Sequence, residues 1–187
     1  MIKVPFRAVL ISLIALVAIG GLINLETAKH SALNQSFTNG TCSLNGTTLV
    51  IDFGPDSKRE PITKCVIDFQ GTGWKLIESA GLNVVGTSEY PESFVCRIED
   101  FPNVQSEDCQ GTPDPSNGSW VYFYSTLSTF DSETGASTWQ RSHIGAASRT
   151  PDCGDYEGWL FSKPGTENSA TVAPNQISIE PRPFACK

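Results

Sequence analysis

The sequence predicts an α+β domain: a mostly antiparallel β-sheet with one packed helix, bonded by disulfides and preceded by an N-terminal apolar helix. Three observations carry that reading. Short β-branched and aromatic runs bounded by Gly and Pro recur along the body. One segment, and only one, has convincing helical apolar spacing. All six cysteines lie beyond the apolar N-terminal run, which suits crosslinks formed after export.

Lys3 and Arg7 precede an uncharged run from Ala8 to Leu25. That run is somewhat long for a signal-peptide core and close to the lower limit for a membrane span. Residues 1–32 are therefore read as a signal peptide or signal anchor. The basic residues lie before the apolar run, so the body is exported in either case. No cysteine follows the run closely, which argues against a lipoprotein anchor.

Residues 33–47 are polar and read as a linker, and residues 48–187 as the folded domain. Thr48-Leu49-Val50-Ile51-Asp52-Phe53 is a strand closed by Gly54-Pro55. Pro61 to Asp68 is a second. The helix opens at Gly71-Thr72-Gly73-Trp74, with Thr72 as N-cap and Gly81 as the stop. Trp74, Ile77 and Ala80, with Leu76, form its apolar stripe. Asn83 to Thr87 and Ser93 to Ile98 are short strands, and 99–118 is a long loop pinned by Cys109. Trp120 to Ser125 is the most aromatic strand: Trp120, Tyr122 and Tyr124 share one face, Val121 and Phe123 the other. Ser137 to Gln140 is a further strand, Ile144 to Ala147 a turn, and Tyr156 to Phe161 the last clear strand. Ile177 and Ile179 suggest a short edge strand.

The cysteines are Cys42, Cys65, Cys96, Cys109, Cys153 and Cys186. Their number allows about 15 pairings, of which the sequential one is preferred: 42 with 65, 96 with 109, 153 with 186. No pair has the close spacing of a zinc site, and His143 is the one histidine in the body, so no metal is expected.

Charge excludes a class of partner. The chain has 13 basic and 20 acidic residues, a net charge of −7. The first 32 residues hold Lys3, Arg7 and Lys29 against Glu26, so the body is more acidic still. Such a surface repels phosphate backbones, and nucleic acid is not expected as a partner. The partner is a surface ligand or protein, with the membrane added through residues 8–25 if they are not cleaved.

No catalytic constellation is visible, and the chain is not expected to be an enzyme. His143 has no G-x-S-x-G serine to serve, and Ser142 beside it would face the other way on a strand. Asp155 and Glu157 can share a strand face, but acids near turns are usually solvated. Asn34, Asn39, Asn45 and Asn117 each lie in an N-x-S/T sequon, a glycan acceptor in some hosts and ordinary loop chemistry otherwise. The aromatics hold the functional promise. Trp120, Tyr122, Tyr124, Trp139 and Trp159 can build a row that stacks on a ring-shaped ligand, or pack as core beneath the helix around Trp74.

Four segments carry a resemblance: GTGWKLIESAGLNVVGT from Gly71, FVCRIED from Phe94, WVYFYS from Trp120 and GAASRTPDCGDYEGWLF from Gly145. Over roughly residues 42–161 the chain resembles the transcobalamin-like C-terminal domain family. It is most similar to exported actinobacterial proteins that join a VIDFG strand to this module. The resemblance implies the fold of the small β-rich domain that closes over cobalamin in vertebrate carriers. In those carriers a helical barrel supplies most of the pocket, and this sequence has none. The positions that match a ligand site are Tyr90, Trp120, Tyr122, Trp139, Gly145 and Ala146. A Cys96–Cys109 disulfide fits the family pattern, whereas Cys153 and Cys186 lie outside it. The functional expectation is an extracellular or cell-surface binding module for a cobalamin-like or other ring-stacking ligand, with no bound cofactor required. A structural or adhesive surface domain without a small ligand is the alternative.

Overall fold

The computed structural model describes residues 36–43, 45–126, 129–131, 136–163 and 186. The N-terminal apolar run, Asn34 and the Ile177/Ile179 segment lie outside the described residues. No helix among the described residues is long and apolar enough to cross a membrane.

The strands are β1 (Phe37–Asn39), β2 (Gly46–Asp52), β3 (Ile62–Ile67), β4 (Val84–Gly86), β5 (Val95–Ile98), β6 (Ser119–Ser125), β7 (Phe130–Asp131), β8 (Ala136–Ser137), β9 (Gln140–Arg141) and β10 (Tyr156–Ser162). The one α-helix among the described residues, α1 (Gly73–Ser79), falls between β3 and β4. Six strands form the main sheet in the order β1-β3-β2-β10-β6-β9, and β4–β5 and β7–β8 are two-stranded ribbons. The expected α+β class holds.

Neighbouring strands are antiparallel except at the centre, where β10 runs parallel to β2 with Trp159 opposite Ile51. Both strands are buried at every position but the last, Asp52 and Ser162. Burial on both faces is what a parallel pair requires, and it explains why the Tyr156–Phe161 run is almost continuously apolar.

Two segments differ from expectation. The expected linker at 33–47 contains β1, which pairs with β3 at the sheet edge. Phe37 makes this worthwhile: a Cβ on Gly81 would lie 2.5 Å from its ring, and Lys64 Nζ sits 5.1 Å from the ring centroid. The expected strand at 137–140 is divided, its start in β8 and its end in β9.

The helix forms where Thr72 accepts a hydrogen bond from Lys75 N at 3.4 Å. It ends at Gly81, whose φ of +74° suits glycine. Trp74, Leu76, Ile77 and Ala80 are buried against Leu49, Ile51, Val66, Tyr122 and Trp159 of the sheet. Each large side chain contributes on the order of 1.5–3 kcal/mol on burial. Farther along the same sheet face, Phe53, Phe101, Trp120 and Phe161 meet edge to face, with centroids 4.9–6.2 Å apart. Arg59 covers Phe53 at 4.0 Å.

Three disulfides brace the fold: Cys42–Cys65, Cys96–Cys109 and Cys153–Cys186. The preferred sequential pairing is the one found, and no cysteine is free. Such crosslinking suits an oxidising compartment outside the cytosol. The polar loop after β5 is held by Cys109 and by buried Arg97. Arg97 donates to Pro102 O at 2.7 Å and to Glu107 O at 2.6 Å.

Candidate functional site

The six residues matched to a ligand site do not come together. Trp120 and Tyr122, each 7% exposed, belong to the core beneath the helix. Trp139 is half-buried and packs edge-on against Tyr156, centroids 6.3 Å apart. These rings, and Trp159 at 4% exposure, are spent on packing and present no stacking row. Tyr90 is 49% exposed, Gly145 is exposed and Ala146 is buried.

Tyr90, Gly145 and Ala146 do share a neighbourhood. Three loops converge there. Ser88 N donates to Cys109 O at 2.7 Å, joining 87–94 to 107–110. A side chain at Gly145 would begin 3.8 Å from Ser93 O, so 142–149 lies beside 87–94. Ser93 N and Phe94 N both donate to Tyr90 O at 3.2 Å, which fixes the turn that presents the Tyr90 ring. Ile144, 54% exposed, stands on the adjoining loop with exposed His143. Glu89 and Glu92, both exposed, flank Tyr90 in the chain. Interaction with Glu89 holds the Tyr90 phenol above its ordinary pKa, so the ring carries its hydroxyl proton across the neutral range.

The corner is anchored from below. Ala146 O and Arg149 O accept from Trp74 N and Gly73 N at 3.1 and 2.9 Å, so the turn caps the start of α1. Arg149 then reaches the sheet. Its Nε donates to Glu157 Oε1 at 2.9 Å and its terminal nitrogen to Asp155 Oδ2 at 3.2 Å. The guanidinium lies 4.1 Å from the Tyr124 ring centroid. Glu157 is fully buried, and Tyr122 Oη donates to its second oxygen. Tyr122 stacks on Trp159, with ring centroids 4.7 Å apart. Gly73 cannot carry a side chain here, because a Cβ would lie 2.2 Å from Tyr122 Oη.

Electrostatics follow from that geometry. Burial pushes the Glu157 carboxyl up to about 7, against the opposing pull of Tyr122 and Arg149. Burial and the neighbouring Glu157 also raise the Tyr122 phenol, which stays a hydrogen-bond donor. Arg149 loses some preference for its charge on burial, yet Glu157 and Asp155 more than restore it. Asp155 and Glu157 thus do share a neighbourhood, as their spacing suggests. They converge on an internal arginine and are not solvated. Sequence reasoning missed Arg149. The signal available was an arginine six residues before one acid and eight before the other, flanking a disulfide-bonded turn.

Among the described residues no group of three or more His, Cys, Asp or Glu side chains could hold a metal ion. Ser142 Oγ donates to Ile144 O at 2.7 Å, a turn contact made without His143. The chain matches no family model, no curated protein and no solved structure.

Proposed function

We propose that this chain is an exported binding module whose docking surface is the corner formed by residues 87–94, 107–110 and 142–149. The observation that carries the reading is a contrast in exposure. Tyr90 and Ile144 are 49% and 54% exposed on loops that disulfide and ionic contacts hold in place, while every Trp is at least half-buried. Rigid support beneath exposed aromatic and aliphatic groups lowers the entropy lost on binding. Export is supported by the Lys3/Arg7 and Ala8–Leu25 pattern together with three disulfides.

A macromolecular surface fits this corner better than a small stacked ring, since one aromatic face is offered rather than a row. The test uses the purified domain on intact cells of its source. Tyr90→Ala combined with Ile144→Ser should abolish surface binding while leaving the melting temperature unchanged. Equal binding by the variant would sink the proposal.

The family resemblance supports a second reading, a cobalamin-like ligand stacked on Tyr90. Cobalamin and cobinamide would be titrated while tryptophan fluorescence is followed, in the wild type and in Tyr90→Ala. Saturable quenching lost in the variant supports this reading. No quenching at high micromolar ligand leaves the macromolecular or purely adhesive role.

A further inference from the structure

We propose that Asn117 is a site of spontaneous deamidation in the folded protein, and that Asn39 and Asn45 are protected from the same reaction. All three are followed by glycine: Asn39-Gly40, Asn45-Gly46 and Asn117-Gly118. In such a pair the glycine backbone nitrogen, having lost its proton to base, attacks the asparagine Cγ. A C–N bond forms, the bond to Nδ2 breaks and ammonia leaves. Water then opens the five-membered imide to aspartate or isoaspartate. Glycine favours the step because it has no Cβ to obstruct the approach and can reach the backbone angles required.

The fold treats the three pairs differently. At the first, the attacking group is engaged: Gly40 N donates to Thr63 O at 2.9 Å in the ladder beside β1. The Asn39 amide oxygen is also held, accepting from Lys64 Nζ at 2.7 Å. At the second, Asn45 is half-buried, its Nδ2 donates to the Asp68 carboxylate, and Gly46 is already inside β2. Both asparagines would have to break side-chain hydrogen bonds to turn toward the next nitrogen.

Asn117 has no such restraint. It is exposed at the end of a 3-10 turn, Pro115–Asn117, and its carboxamide makes no hydrogen bond among the described residues. Gly118, with φ +91°, is the residue type for which the left-handed region costs nothing. The product would matter structurally. Gly118 packs so closely that a Cβ would lie 2.7 Å from the Phe161 ring, and Ser119 pairs with Ser162 immediately after it. Isoaspartate lengthens the backbone at the start of β6 and adds a negative charge there.

The experiment stores the purified full chain at mildly alkaline pH in heavy-oxygen water, then maps peptides by mass spectrometry. Label should enter the Asn117 peptide well ahead of the Asn39 and Asn45 peptides. In chain that has been reduced and denatured, the three should label at similar rates. Asn117→Gln should remove the dominant acidic species seen on ion exchange. If Asn39 or Asn45 keeps pace with Asn117 in the folded chain, the proposal is overturned. It is equally overturned if folded Asn117 stays unlabelled while the denatured chain labels.

Discussion

Strands β6 and β10 carry two different kinds of core on one face, a few residues apart. At one end the cross-strand pair is Trp120 with Phe161, surrounded by Phe53 and Phe101. At the other it is Tyr124 with Glu157, gathered round Arg149. The pair Tyr122 and Trp159 lies between and serves both: its rings stack, and the Tyr122 hydroxyl reaches Glu157. The aromatic end is held by contacts that any well-shaped apolar group can make. The ionic end is held by directed bonds that fail together when one partner is lost. Strength and specificity are thus separated along two strands. The specific end is the one that anchors the 142–149 loop, through Arg149.

The sharpest way to break this comparison is Arg149→Met. It leaves Glu157 buried without its cation and should cost about 3–5 kcal/mol at pH 8, read by urea unfolding. Adding Glu157→Gln should recover much of that loss. A loss below about 1 kcal/mol for the single variant would mean the ionic end is not a fastener.

Phe53→Ala, at the aromatic end, should cost about 3–4 kcal/mol through the cavity it leaves. Phe53→Leu should cost only about 1 kcal/mol, because volume is largely kept. Arg149→Lys, conservative in charge alone, should cost more than Phe53→Leu, since a lysine cannot bridge two carboxylates with a planar fork. The reverse order would contradict the separation drawn above.

Acidity gives a third handle. The Glu157 carboxyl titrates near 7 in the fold, against about 4.3 in an unfolded chain. A raised carboxyl value means that the folded state binds the proton more tightly. The resulting stability is full below about pH 4.3 and is lost as pH rises toward 7 and beyond. Unfolding followed across that window should show a decline of roughly 3 kcal/mol that Glu157→Gln flattens. An unchanged slope in the variant would place the titration elsewhere.

The smallest effect concerns α1, whose first residue lies against Tyr122 between the two ends. Thr72→Ala removes the cap on Lys75 N and should cost about 0.5–1 kcal/mol by thermal unfolding. Thr72→Asp should retain most of the stability.

Local chemistry made much of this legible. The strands at 48–53, 61–68, 93–98, 120–125 and 156–161 and the Thr72-capped helix follow from β-branched runs, glycine stops and 3.6-residue spacing. The alternation of Trp120, Tyr122 and Tyr124 against Val121 and Phe123 also follows from strand geometry. What alternation cannot say is that both faces of that strand would be covered. Phe123, at 2% exposure, is as hidden as the tryptophan expected to oppose it. β1 was illegible because its anchor, Phe37, gains its contact from Gly81, far along the chain. The candidate corner was half legible: Tyr90, Gly145 and Ala146 were in view as site residues, Ile144 only as the start of a turn, and Arg149 was given no role.

By itself, then, the amino-acid order determined most element types, the disulfide-crosslinked character and the single helix among the described residues, because these depend on near neighbours and on residue chemistry. Only the tertiary structure decided that β10 would lie parallel to β2, that Trp74, Trp120 and Trp159 would be core rather than a ligand face, and that Glu157 would be enclosed with Arg149. Those outcomes depend on which distant segments exclude water from one another, and a linear order does not record that.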